Sequence, residues 1–348
     1  MRESFEHYGQ IAKDVAKPKA KQPKGLGGAL EYALAKAAER FGNDQAAQFE
    51  IFTIQQDKQK IMDQLKAKLK ELDDPEAKPE RRKTAELVRG EKDGYVVDRP
   101  GSKDEKMAIT EGELLTDGEW GVQYDFDPET VPRAVRKEYL VEEAKRLLLE
   151  LADRQILRQM TSSRDIDEGR KSAYSGLKRE RASGVELGGH VAEKMVRLFL
   201  RKLAIDHGLD FDIQPVDVAE DVERKIDFVI VRKARGRGVH VDADETVDRL
   251  GVQFTTNSNP DVLAHKRRQV ERAKSRLRPE DTIEDLILVH MNVADVKDLQ
   301  QKWKDAGKPP GGPDKLLPES VKERIFKKVL DGFYSPAELE AAWTKMNN

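Results

Sequence analysis

Two short runs of β-branched and aromatic residues constrain the fold more than any other feature of this sequence. One is KIDFVIV, which starts at Lys225, and the other is LGVQFTTN, which starts at Leu250. Runs of this kind, bounded by Gly, Asp and Asn, are typical of β-strands. Side chains alternate across a strand, so both faces of KIDFVIV are apolar and we expect both to be covered. A polar group inside such a run needs a partner.

Three polar side chains lie in these two runs. Asp227 is in the first, where its carboxylate is either paired, hydrogen-bonded or metal-bound within the sheet, or solvated at the start of the strand. Gln253 and Thr255 point to the same side of the second run. Their spacing fits a half-exposed strand with a polar face as well as it fits a functional site.

A helix is predicted before the first of these strands, from Gly188 to about Gly208. Its acidic residue Glu193 lies at the edge of the apolar stripe, and His190 precedes it on the same side. Gly208 is a typical helix stop. The stripe has helical spacing and consists of Ala192, Met195, Val196, Phe199 and Leu203.

A second helix is predicted after LGVQFTTN, with Asn259 as its cap and Pro260 at its first position. Lys266 occupies a position of its inner stripe where the pattern calls for an apolar residue. The lysine either extends outward along its aliphatic stem or directs its ammonium group at the sheet. The run DLILVHMN then returns as a strand, and a crossover of this length implies parallel pairing.

The order helix–strand–strand–strand–helix–strand from Gly188 to Asn292, with a helix glutamate and an Ile-Asp second strand, resembles the PD-(D/E)xK nuclease superfamily. The resemblance implies an α+β or α/β fold with a restriction-endonuclease-like core and a mixed sheet. It also implies that acids bind Mg²⁺ or Mn²⁺ while a lysine supports the attacked phosphate. It assigns Glu193 as the helix acid, Asp227 as the strand aspartate, Gln253 at the third-strand acid and Thr255 at the lysine position.

This chain departs from the family pattern at two of those positions. Gln253 offers a neutral oxygen in place of a carboxylate, and Thr255 supplies no cation. Lys266 on the next helix is the natural replacement for the lysine, and some family members are similar in this respect. His190 is a candidate additional metal ligand, as in family members with a histidine on the first helix. The resemblance therefore implies either a metal-dependent nuclease that hydrolyses DNA, or an inactive relative that binds nucleic acid or assists assembly.

Two basic segments flank these residues. VRKARGRG has four basic residues and no acid, and the helix from Pro260 to Arg278 has seven basic and two acidic residues. They fit a surface that binds DNA phosphates, with Arg235, Arg237, Arg267 and Arg268 as contacts and Thr255 beside them. Exposed charged faces with no such role fit the same pattern. The whole chain has a net charge of −2, so any DNA-binding surface must be local.

The chain of 348 residues divides into four predicted regions. Residues 1–25 form a basic arm, 26–160 a mainly helical region with a small β element, 161–185 a linker, and 186–348 the nuclease-like domain with C-terminal helices. In the helical region, Ile51, Ile54, Ile61, Leu65 and Leu72 recur at near-heptad spacing. A coiled coil of this length fits either a helical hairpin or a homodimer contact.

Local signals complete the description. MAITEGEL and WGVQYDF predict short strands, and Trp120 and Tyr124 a small satellite core. Ser320 with Glu323, and Ser335 with Glu338, predict capping boxes. The chain has no cysteine, so disulfides and thiolate chemistry are excluded. It shows no signal peptide and no membrane-spanning run, so we expect a cytoplasmic protein without a membrane partner.

Overall fold

The computed structural model describes most of the chain from residue 30 onward. The predicted basic arm, and the hairpin tip that carries Arg235 and Arg237, lie outside the described residues. These comprise 30, 31, 34, 35, 45–73, 94–98, 106–126, 131–162, 166–183, 188–232, 249–275, 277, 283, 285–290, 296–331 and 333–347. They fall into two compact units. The helical unit draws on residues 1–83, 131–183 and 217–223, and the sheet unit on 84–130, 184–216 and 224–348.

The described residues form α-helices, short β-strands and a few single helical turns. Gly118–Trp120 and Pro313–Leu316 form 3₁₀ turns, and Glu220–Arg224 form a π-helical turn. The strands are β1 Gly94–Asp98, β2 Lys106–Thr110, β3 Asp125–Phe126, β4 Phe211–Pro215, β5 Phe228–Arg232, β6 Arg249–Thr255 and β7 Asp285–His290. The helices are α1 Gln45–Asp73, α2 Glu111–Asp117, α3 Arg133–Ser162, α4 Glu168–Ser183, α5 Gly188–Asp206, α6 Pro260–Lys274, α7 Val296–Asp305, α8 Glu319–Leu330 and α9 Pro336–Asn347.

The helical unit is built on the packing of α1 against α3. Ile51 and Ile54, from the predicted heptad stripe, are buried in one cluster with Leu148 and Leu151 of α3. Leu65 is buried as well. The stripe therefore packs against a helix of the same chain, because α3 offers a complementary apolar face. The predicted homodimer contact stays a prediction, and it would need another face of α1.

The stretch predicted as a linker contains a helix, α4. Its Tyr174 is fully buried, and the phenol O–H donates to Glu223 Oε1 at 3.1 Å. Burial, reinforced by the charge of Glu223, raises the pKa of this phenol above its usual value. Tyr174 is thus the buried anchor of α4, and Ala173 and Leu177 pack against the same core.

Residues 217–223 also belong to the helical unit. The Asp153 carboxylate on α3 accepts the backbone N–H of Val218 at 2.8 Å, and Arg181 pairs with the same carboxylate at 2.6 Å. Burial raises the pKa of Asp153, although Arg181 opposes the shift. Val218 and Val222 join the core cluster of this unit. The segment is thus fixed by both apolar burial and a charged hydrogen bond.

The sheet unit contains a mixed four-stranded sheet in the order β4-β5-β6-β7. β4 and β6 both run antiparallel to β5, whereas β6 and β7 are parallel. The parallel pairing is the one that the α6 crossover predicts, and β4, which ends at Pro215, lies at an edge as expected. The fold is therefore mixed α+β.

Both faces of this sheet are covered. Val229 and Val231 of β5 are buried in one cluster with Val270 of α6, which places α6 on their face. Phe228 and Ile230, which point the other way, are fully buried too. α5 packs against β4 and β6, and its apolar residues are not part of the α6 cluster. The two helices that flank the strands in sequence therefore cover different faces.

A second, antiparallel sheet has the order β2-β1-β3. The predicted strand MAITEGEL stops at Thr110, because Thr110 and Glu113 form a capping box that begins α2. The predicted strand WGVQYDF is reduced to Asp125–Phe126. Trp120 and Tyr124 are buried as expected.

Three helices complete the sheet unit. The capping box predicted at Ser335 is present, since Glu338 accepts the Ser335 N–H at 2.8 Å and donates its own N–H back at 3.4 Å. The box predicted at Ser320 is wrong, because α8 begins at Glu319 directly after Pro318 and Ser320 lies inside its first turn. Among the described residues, no helix is long and apolar enough to cross a membrane.

We predict that Gly251→Ala destabilises the sheet unit. A Cβ on Gly251 would lie 2.9 Å from Leu286 Cδ1 and 3.3 Å from Ile283 Cγ2, both of them fully enclosed. Overpacking of this kind costs roughly 1–3 kcal/mol, which chemical denaturation would measure as a lower midpoint with the same slope. Gly189→Ala is the matched control, because nothing lies within 4 Å of a Cβ there. Equal stability of the two variants would contradict the prediction.

Candidate functional site

Asp227 lies immediately before β5 and is bonded to β6 through both its backbone and its side chain. Its N–H donates to the Val252 carbonyl at 2.8 Å, and its Oδ2 accepts the N–H of Phe254 at 2.6 Å. The backbone turns sharply just before it, since Lys225 has a φ of 60° and Ile226 is fully buried. The carboxylate is therefore hydrogen-bonded within the sheet rather than solvated at a frayed end.

Gln253 lies between the two residues that Asp227 contacts. Val229 pairs with Gly251 across β5 and β6, so Gln253, two residues on from Gly251, shares the face of Val229. Gln253 is 5% exposed, and its Oε1 is buried with no hydrogen-bond partner. An unsatisfied buried oxygen is uncommon and is costly unless something binds it. Asp227 is thus hydrogen-bonded to the backbone of both chain neighbours of Gln253.

The two remaining candidates are Thr255 of β6 and Lys266 of α6. Thr255 is buried on the face of Gln253, and its Oγ1 accepts the Asn257 N–H at 3.3 Å. Lys266 is half-buried and lies one turn before Val270, the α6 residue that packs on this face. Its position on the inner side of α6 agrees with the predicted stripe.

Glu193 and His190 lie together on α5. His190 Nδ1 is 3.9 Å from Glu193 Oε2. Glu193 also precedes Arg197 by one helical turn, and Arg197 is bonded to Glu119. Burial lowers the pKa of Arg197, but Glu119, with a smaller contribution from Glu193, raises it above the usual value. Glu193 therefore has a structural partner on its own helix.

The candidate residues thus form two pairs. Asp227, before β5, is bonded to the residues on either side of Gln253, whereas Glu193 and His190 meet on α5. Within the described part of the chain, no three His, Asp or Glu side chains are close enough to hold one metal ion. His190, Glu193 and Asp227 are accordingly not gathered into a three-residue group. Arg267 and Arg268 are exposed on α6, as a surface that binds nucleic acid requires.

No protein family model, curated protein or solved structure matches this chain. The chemistry of the site must therefore be argued from its own residues.

A second polar group in the sheet unit was not foreseen from the sequence. Lys202 of α5 pairs with Asp314 at 2.6 Å and donates to the Gly311 carbonyl. The Gly311 N–H in turn donates to Asp117 Oδ2 at 2.8 Å, and the Tyr124 O–H donates to the same oxygen at 2.6 Å. We call these five residues the Asp117 cluster. Both carboxylates and the lysine are at most 7% exposed.

The charges of the Asp117 cluster are held in an apolar environment. Burial raises the pKa of Asp117 to about 6, and Lys202 opposes this shift only in part. Burial also raises the pKa of Asp314. Asp117 Oδ1 and Asp314 Oδ1 have no hydrogen-bond partner. Because the cluster joins α2, α5 and the 3₁₀ turn at Pro313, we assign it to holding the fold together. Its members look like ordinary surface charges in the sequence, and only their pairing reveals them.

We predict that Asp117→Asn removes a pH-dependent component of stability. A carboxyl whose pKa is raised on folding contributes stability that is complete below about pH 4 and is lost as the pH rises through about 6. The shift corresponds to about 3 kcal/mol. The free energy of unfolding of the wild type, relative to Asp117→Asn, should therefore fall by about that amount between pH 4 and pH 7. Urea denaturation at both pH values measures it. A difference between the two proteins that does not change with pH would rule it out.

Proposed function

We propose that the sheet unit binds DNA at the edge where Asp227 and Gln253 meet, and that it hydrolyses phosphodiester bonds with bound Mg²⁺ or Mn²⁺. The observation that carries this proposal is the buried, unpartnered Oε1 of Gln253, a residue whose two chain neighbours are both bonded to Asp227. The helix–strand–strand–strand–helix–strand order around these residues supports a restriction-endonuclease-like core, in which Asp227 and Gln253 occupy the second- and third-strand positions.

The donor set fits a hard divalent cation. Mg²⁺ prefers carboxylate and amide oxygens completed by water and phosphate oxygens. Asp227 and Gln253 supply two such oxygens, Glu193 is the candidate third ligand, and His190 beside it is a further one. Asp227 is half-buried, and its Oδ2 accepts the Phe254 N–H.

Each side chain has a defined task in hydrolysis. A bound divalent cation would supply Lewis acidity and lower the pKa of a bound water. Asp227 would hold that ion, and its two hydrogen bonds to β6 keep its carboxylate in one orientation. Gln253 orients the bound water or a phosphate oxygen through its amide. Lys266 stabilises negative charge that develops on the phosphate, since its position on α6 faces the sheet.

DNA is the expected substrate because α6 adds a basic surface to this edge. Arg267 and Arg268 are exposed on the helix that starts four residues after Thr256 and covers the sheet face of Gln253. Phosphate contacts of this kind supply affinity without sequence preference and weaken with salt.

A second function has its own support. The absence of any three-residue group of His, Asp or Glu in the described chain favours a protein that binds nucleic acid without cleaving it. Gln253 and Thr255 in place of an acid and a lysine point the same way. In that case the edge binds the phosphate backbone through its polar groups and no metal is needed.

We predict that Asp227→Asn separates metal binding from folding. Asn keeps an oxygen that accepts the Phe254 N–H but loses the charge that binds a cation. Its Tm should match the wild type, whereas Mn²⁺ binding measured by calorimetry should disappear and cleavage of plasmid DNA should fall by at least about 100-fold. Asp227→Ala should also lose about 1–3 kcal/mol of stability, because it leaves a buried N–H unsatisfied.

Asp285→Asn is the matched control, since Asp285 begins β7 at the opposite edge of the sheet and is exposed. It should retain both metal binding and cleavage. Equal cleavage by Asp227→Asn and the wild type would remove Asp227 from the site. A wild type that binds DNA but neither binds Mn²⁺ nor cleaves would favour the second function.

A further inference from the structure

Three strand ends meet at one edge of the four-stranded sheet. β6 and β7 are parallel, so their carboxyl ends, Thr255 and His290, lie side by side. β5 is antiparallel to β6, so its amino end, which Asp227 precedes, reaches the same edge. In open sheets of this kind, ligands bind beyond the carboxyl ends of parallel strands.

His290 belongs to this edge, although it was not singled out in the sequence. It is the register partner of Thr255, and paired residues of parallel strands present their side chains to the same face. Gln253, two residues before Thr255, shares that face. His290 therefore lies on the side of the sheet that carries Gln253, one strand further along.

The ring of His290 has a hydroxyl partner. Its Nε2 is 3.4 Å from the Oγ of Ser258, an exposed residue of the loop that follows β6. Both groups can donate hydrogen bonds, and the ring is half-buried, so its position is constrained by packing while its edge stays accessible. The Lys328 ammonium donates to the carbonyl oxygen of His290 and adds positive charge nearby.

This chemistry suits a phosphate oxygen better than it suits a metal ion. An imidazole N–H and a hydroxyl side by side, with a lysine nearby, offer hydrogen-bond donors and positive charge to an anion. His290 is not part of any three-residue metal group among the described residues.

We propose that His290 and Ser258 together bind one phosphate group of the nucleic-acid backbone, next to the Asp227 and Gln253 pair. The inference rests on the proposed function for its ligand, because it names the phosphate that this edge holds. It adds two binding residues that come from β7 and from the loop after β6. They position the backbone, and they have no part in holding the metal ion.

The test measures DNA affinity and metal affinity separately. The full-length chain is titrated with a fluorescently labelled duplex oligonucleotide, with Ca²⁺ in place of Mg²⁺, and anisotropy is recorded. His290→Ala should weaken DNA binding by about tenfold, which is the effect of about one charge-assisted hydrogen bond. Mn²⁺ binding by calorimetry and the Tm should stay unchanged. His290→Gln, which keeps a donor, should recover part of the affinity.

Two further variants make the result specific. Ser258→Ala should weaken binding as well. Because both groups contact the same phosphate, the double variant should lose less binding free energy than the sum of the two single losses. His207→Ala is the matched control, since His207 is an exposed histidine that follows α5. It should bind DNA like the wild type.

The possible outcomes separate the two proposals. If His290→Ala, Ser258→Ala and His207→Ala all bind DNA like the wild type, the phosphate assignment is overturned while metal-dependent cleavage still stands. If the wild type neither binds Mn²⁺ nor cleaves, but His290→Ala loses DNA affinity, hydrolysis is overturned and the phosphate assignment is supported. If the wild type binds no DNA, both are overturned.

Discussion

One residue, Asp227, ties the start of β5 to β6 through its backbone and its carboxylate. Its backbone N–H and its Oδ2 hold the carbonyl of Val252 and the N–H of Phe254, on either side of Gln253. A strand that starts after a residue with positive φ would otherwise fray, because the ladder has no further pair there. The same two bonds fix the orientation of the carboxylate. The group that closes the sheet is therefore also the group best placed to act at its edge.

The sheet unit keeps two kinds of buried charge, and they differ in what compensates them. In the Asp117 cluster, Lys202 neutralises Asp314 directly and Asp117 through the Gly311 peptide. These bonds link α2 to α5, although Asp117 Oδ1 and Asp314 Oδ1 have no hydrogen-bond partner. At the sheet edge, Asp227 has backbone donors, and Gln253 Oε1 has no donor at all. A site needs such incompleteness, because a ligand must supply what the protein does not.

The four strands of the main sheet could be predicted because each is a short run of β-branched and aromatic residues with a polar boundary. Pairing and the inner stripe of α6 followed from the crossover length and the helical period. The α4 helix was missed, because a polar stretch with three glycines gives no periodic signal. Tyr174 is its buried residue. The predicted Ser320 cap failed because Pro318 sets the helix start.

Candidate site residues could be predicted only where they interrupted a recognisable strand sequence. Asp227 and Gln253 stood out as polar groups in apolar runs. His290 ends such a run and looks like a boundary residue, and its neighbour Ser258 lies 32 positions away in sequence. The register of β6 with β7 is what relates them. The Asp117 cluster is harder still, because its members are separated by up to 197 positions between Asp117 and Asp314.

The short segment 217–223 packs with the helical unit although the chain on both sides of it belongs to the sheet unit. Together with the other interleaved stretches, it means that neither unit is encoded by one uninterrupted run of codons. A truncation of the chain after residue 183 would therefore remove Val218 and Val222 from the core of the helical unit.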